Sequence, residues 1–90
     1  MIDTRKLAVI STGHVSKETA ELFNSTHREK WPACGGPFNV FGWFMYIDPY
    51  ADDTPDDLKI VFTYLDAQGF EYVLFDCDAS CVTDLPLFEW

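Results

Sequence analysis

Hydrophobic positions along this chain fall partly in short continuous runs and partly at helical spacing, and the two patterns predict different elements. Leu7-Ala8-Val9-Ile10-Ser11-Thr12 is a short apolar run closed by Gly13. It predicts a buried first strand. Ser16 then has the position of a helix N-cap, with Glu18 in the first turn, where the helix dipole favours an anion. Val15 and Ala20 stand at the staple positions around that cap. Thr19, Leu22 and Phe23 share a face, so the spacing predicts a helix from Lys17 to Asn24 or Ser25.

Residues Thr26 to Pro37 read as a loop, punctuated by Pro32, Gly35, Gly36 and Pro37. Trp31 within it is expected to plug an edge of the core. Phe38 to Ile47 is the strongest strand signal, aromatic and β-branched on both alternating faces. It predicts one central strand, covered on both sides or keeping a face for a partner. After a turn over Asp48 to Asp53, Thr54-Pro55-Asp56-Asp57 opens a second helix. Thr54 is the expected N-cap, Pro55 the first helical residue, and two carboxylates fill the first turn. Leu58, Val61, Phe62 and Leu65 form one buried stripe, and Gly69 stops the helix as a left-handed residue. Tyr72 to Phe75 is a third strand running into Asp76-Cys77-Asp78. The tail Leu85-Pro86-Leu87-Phe88-Glu89-Trp90 is expected to be a short edge strand or a flap on the core.

These elements predict a single α/β domain over residues 1–90, a β-α-β-α-β unit with two helices on a three-stranded or four-stranded sheet. A chain this short buries about 60% of its unfolded surface. Eight Phe, four Tyr and three Trp give it enough apolar material for a real core, which a disordered acidic tail lacks.

Charge changes the functional picture more than composition does. Residues 1–30 hold five basic and four acidic groups, a net of +1. Residues 31–90 hold eleven acidic groups and one basic group, Lys59, a net of −10. The sum, −9, opposes direct binding to nucleic acid or to an anionic membrane. It favours a basic partner, and proteins that hold nucleic acid are the natural class. The N-terminal apolar run is too short for a secretion signal, and no stretch approaches the roughly 20 apolar residues of a membrane span. A cytoplasmic protein is expected. Three cysteines, Cys34, Cys77 and Cys81, are an odd number, which argues for free thiols in a reducing compartment.

No catalytic motif is complete, so no enzymatic role and no cofactor is expected. Asp76-Cys77-Asp78 after an apolar strand has the outline of a phosphatase nucleophile strand, but the twelve residues that follow contain no lysine. Ser11-Thr12-Gly13-His14 lacks the glycines and lysine of a phosphate loop. Cys77 and Cys81 have no paired partner knuckle for zinc. In a parallel sheet, His14, Asp48, Asp76 and Asp78 would share one edge and could hold a hard cation or small ligand. The aromatic run has no interleaved Lys or Arg for stacking nucleic-acid bases. It reads as core, or as the interface of a homodimer to which Phe88 and Trp90 would contribute.

Ile10-Ser11-Thr12-Gly13-His14-Val15 with Glu18-Thr19-Ala20 resembles the opening of a small uncharacterised family of acidic proteins of proteobacterial plasmids and mobile elements. Residues 41–47, 55–58, 69–78 and 85–90 resemble its later blocks, so the likeness covers most of the chain. The family carries no known catalytic residue. The resemblance implies a context similar in kind to antirestriction and anti-CRISPR inhibitors. The sequence reading is therefore an inhibitor that binds a nucleic-acid-handling complex through Asp52, Asp53, Asp56, Asp57, Asp66 and Glu71.

Overall fold

The computed structural model describes residues 2–39 and 42–89. Its elements are β1 (Leu7–Ser11), a 3-10 turn (Thr12–His14), α1 (Lys17–Ser25), a second 3-10 turn (Arg28–Lys30), β2 (Gly35–Phe38), β3 (Gly42–Tyr46), α2 (Asp56–Ala67) and β4 (Tyr72–Asp76). The four strands form one mixed sheet in the order β1-β4-β3-β2. β1 runs parallel to β4, while β3 is antiparallel to both β4 and β2.

The expected single strand over Phe38 to Ile47 is instead divided: Phe38 ends β2, and Gly42 to Tyr46 form β3, the second strand of a hairpin. Gly35-Gly36-Pro37-Phe38 pairs with Gly42 to Met45. Gly35 is required there, because a Cβ would overlap the Phe44 carbonyl of the paired strand. Asn39 leaves β2 at φ 56, a left-handed conformation that asparagine tolerates. Val40, Phe41 and the tail's Trp90 lie outside the described residues. The tail is a flap rather than a strand among the described residues, and Leu85 carries it into the core.

Direct register partners point to the same side of a sheet, so register sorts the residues into two faces. Ala8, Ile10, Trp43, Met45, Val73 and Phe75 make the covered face, each less than one-tenth exposed. Both helices lie on it. Phe23 of α1 meets Trp43 at 5.7 Å, and Trp43 meets Phe75 at 5.9 Å. Phe23 also meets the buried Trp31 edge-on at 4.8 Å, so the loop tryptophan does plug the core edge. Leu58, Val61, Phe62 and Leu65 of α2 are all buried in the same cluster. The first strand is thus not buried throughout: Leu7 and Val9 are exposed on the other face.

Helix ends follow local chemistry, with one exception. Ser16 caps α1 by accepting the Thr19 N–H at 3.3 Å, and its staple residues Val15 and Ala20 are buried. At the end of α2 the Gly69 N–H bonds Asp66 O and the Phe70 N–H bonds Leu65 O. That is a Schellman closure, and it holds Gly69 at φ 83, where residues with a Cβ are strained. Lys6 adds a cation at this negative helix end, donating to Gln68 O at 3.1 Å and lying 4.4 Å from the Phe70 ring centre. At the start of α2, however, the cap position falls on Pro55 and no side chain caps it. The Thr54 hydroxyl expected there is buried and has no partner among the described residues. The helix begins one residue later because Pro55 stays extended, at ψ 148. Asp56 and Asp57 are left to offset the first-turn dipole.

Candidate interaction surfaces

Topology decides which charges meet. β1 and β4 are parallel, so Ser11 and Asp76 end side by side. Asp57, in the first turn of α2, accepts the Ser16 N–H at 2.7 Å and the Thr19 hydroxyl at 2.9 Å. This fastens the start of α2 to the start of α1. His14 fastens the tail to the same place. Its Nε2 accepts the Val82 N–H at 2.8 Å, so Nδ1 carries the proton and donates to Pro86 O at 2.8 Å. The Phe88 N–H adds a bond to Gly13 O at 2.8 Å. One pole of the molecule therefore collects both helix N-termini, the end of β4 and the tail.

That pole carries Asp52, Asp53, Asp56, Asp78, Asp84 and Glu89, all exposed, with Asp76 half-buried. The opposite pole holds the start of β1, where Arg5 and Lys6 lie. There Arg5 pairs with Glu71 at 3.0 Å, the one ion pair among the described residues. The pair is exposed, and the hydrogen bond and charge of Glu71 raise the Arg5 pKa above its usual value.

The six residues expected as one acidic face are thus divided. Asp52, Asp53 and Asp56 belong to the acidic pole. Asp57 sits beside them, but both its oxygens are engaged inside the protein. Asp66 lies ten residues along α2 from Asp56, about 15 Å at 1.5 Å per residue, and Glu71 is at the far pole. Asp76, Asp78, Asp84 and Glu89 join the pole from elements far apart in sequence, which linear spacing does not reveal.

The strand-edge set His14, Asp48, Asp76 and Asp78 does not assemble. β3 runs against β4, so Asp48 emerges beside Glu71, where the Ile47 N–H bonds Glu71 O at 3.0 Å. Its carboxylate accepts the Tyr50 N–H in a local turn. Both nitrogens of His14 are used. What remains is Asp76, Cys77 and Asp78, whose ligand-type atoms lie within 4.8 Å of one another, with Asp76 already accepting the Asp78 N–H. Cys34, Cys77 and Cys81 are free and exposed.

The Cys77 thiol has a pKa above the usual thiol value, first because its surroundings hold it partly out of water and then because of the charges of Asp78 and Asp76. Thiolate is the reactive form, so a raised pKa lowers the reactive fraction at neutral pH. Iodoacetamide is expected to alkylate Cys77 more slowly than a free model thiol at pH 8. Asp78→Asn should speed the reaction, measured by mass spectrometry of the labelled peptide. Equal rates in the two proteins would remove the electrostatic account.

The second surface is the open side of the sheet. Leu7, Val9, Phe44, Tyr46, Tyr72 and Leu74 line it, and among the described residues neither α1 nor α2 covers it. Tyr46 and Tyr72 meet edge-on at 4.9 Å, and Phe44 tilts against Tyr72 at 5.5 Å. The sequence allowed a partner-binding face on this strand, but it concealed the face by making both sides apolar. Opposite it, on the outside of α2, Ile60 is half-exposed beside Thr63 and Tyr64, and the Tyr64 hydroxyl donates to Asp84 at 3.2 Å. No helix among the described residues is long and apolar enough to cross a membrane.

No curated protein and no solved structure matches the chain. Residues 7–90 match the family model for the C-terminal domain of DUF5983, a family of unknown function, and the chain belongs to that family.

Proposed function

We propose that this domain is a non-catalytic protein binder whose acidic pole meets the basic surface of a nucleic-acid-handling protein and competes there with nucleic acid. The observation that supports this reading is the placement of Asp52, Asp53, Asp56, Asp78, Asp84 and Glu89 at one pole. None of them forms an ion pair among the described residues. Charge gathered at one end and left unneutralised projects a field that speeds encounter with a cationic surface and weakens with salt. In this reading the domain acts in the manner of antirestriction and anti-CRISPR inhibitors.

The test is capture from nuclease-treated lysate on immobilised protein, comparing wild type with Asp52→Asn, Asp53→Asn and Asp56→Asn combined. Asp57 is left intact because its carboxylate holds the two helices together. The wild type is expected to retain a nucleic-acid-binding protein at low salt. That protein should be released at high salt or by added duplex DNA, and the triple variant should retain much less. Equal retention with the same salt response in both would overturn the reading.

A further inference from the structure

The two edges of the sheet are unequal. β2 is protected: Pro37 has no N–H to offer a neighbour, and the Arg28 side chain lies against Gly36. β1 is not. Its five residues, Leu7 to Ser11, contain no charge, no proline and no glycine. The Tyr72 N–H bonds Lys6 O at 3.2 Å, and Ala8 is in register with Val73. By the alternation of a parallel ladder, Ala8 and Ile10 turn their backbone groups toward β4, and Leu7 and Val9 turn theirs outward. Among the described residues nothing outside the sheet bonds those outward groups. Their side chains are 43% and 50% exposed. A bare, apolar, Pro-free edge is a template for another strand.

We infer that the β1 edge pairs with the β1 edge of a second copy of this chain, antiparallel about a twofold axis, extending the sheet across both molecules. The pairing that uses every outward group sets Leu7 of one copy against Val9 of the other. Arg5 of each copy then lies at the level of Ser11 of its partner, one strand away from Asp76, because Ser11 is in register with Asp76. Charge selects this arrangement. Arg5 and Lys6, at the start of β1 in one copy beside Glu71, meet the acidic pole of the other, and the reverse contact is made by symmetry. A parallel pairing would place the two acidic poles together. The open aromatic faces join into one surface, and the acidic poles are kept at separate ends.

The inference does not depend on the acidic pole's having a partner. Its test is molar mass by light scattering and sedimentation equilibrium as concentration is raised to millimolar, for wild type, Val9→Lys and Val9→Pro. Wild type is expected to approach the mass of a dimer. Val9→Lys places a charge on the exposed face at the contact, and Val9→Pro removes an outward N–H that the monomer does not use. Both should stay monomeric with the wild-type circular dichroism spectrum. Should Val9→Pro fail to fold, Val9→Lys decides alone. A wild type that stays monomeric at millimolar concentration, or a Val9→Lys variant that dimerises like wild type, would overturn the proposal.

Discussion

Replacing His14 with alanine is expected to remove most of the stability of this domain. The ring is 1% exposed, and each nitrogen is bonded to a tail residue about 70 positions away. Truncating a buried ring of this size costs about 3–5 kcal/mol through lost transfer and cavity. Leaving the Val82 N–H and the Pro86 carbonyl unpaired adds about 1–3 kcal/mol for each group that water does not reach. A domain of this size has a total of roughly 5–15 kcal/mol to lose. Urea unfolding is expected to show a large fall in midpoint. The tail should also become sensitive to chymotrypsin after Leu87 and Phe88 under conditions where the wild-type tail is cut slowly. A midpoint near that of the wild type would mean that the histidine does not hold the tail.

Asp57→Ala is expected to have the second-largest effect, with a different signature. The carboxylate receives a backbone N–H from Ser16 and a hydroxyl from Thr19, both half-buried or buried at the start of α1. Hydrogen bonds to a charged acceptor contribute about 1.5–3 kcal/mol each. Loss of the pair, together with a first-turn anion of α2, should cost about 3–6 kcal/mol. Asp56→Ala, one position away and exposed, removes only a dipole contact and should cost well under about 1 kcal/mol. Equal losses in the two variants, measured in the same urea titration, would assign the Asp57 effect to net charge rather than to its bonds. The contrast also guards the test of the acidic pole: a variant that neutralised Asp57 with its neighbours would report instability as lost binding.

Features set by neighbours in sequence were legible, and features set by distant pairing were not. The bounds of α1, its Ser16 cap and the Leu58, Val61, Phe62, Leu65 stripe depend on residues within a few turns. They stand as the spacing predicts. Gly35-Gly36-Pro37 reads as punctuation, yet it becomes a strand because β3 supplies the partner. Leu7 to Ser11 is apolar on both sides, so its pattern does not show that one side is open. The Thr54 cap failed for a local reason, the extended conformation at Pro55. For the candidate site, the excess of acid was plain from the chain, but its grouping was not. The tail residues Asp84 and Glu89 reach the pole through His14 and Gly13, contacts that no local spacing encodes.

The pairing of β1 with β4 also governs when the molecule can form. The partner of Leu7 is Tyr72, so β1 has no parallel neighbour until the ribosome has added the 65 residues that separate the two. Closing so long a loop slows folding. Until β4 arrives, an apolar segment with two open edges is presented to the cell. A nascent or truncated chain ending before Tyr72 would therefore hold two helices, a hairpin and an orphan strand, and it should be a target for chaperones rather than a smaller version of the domain.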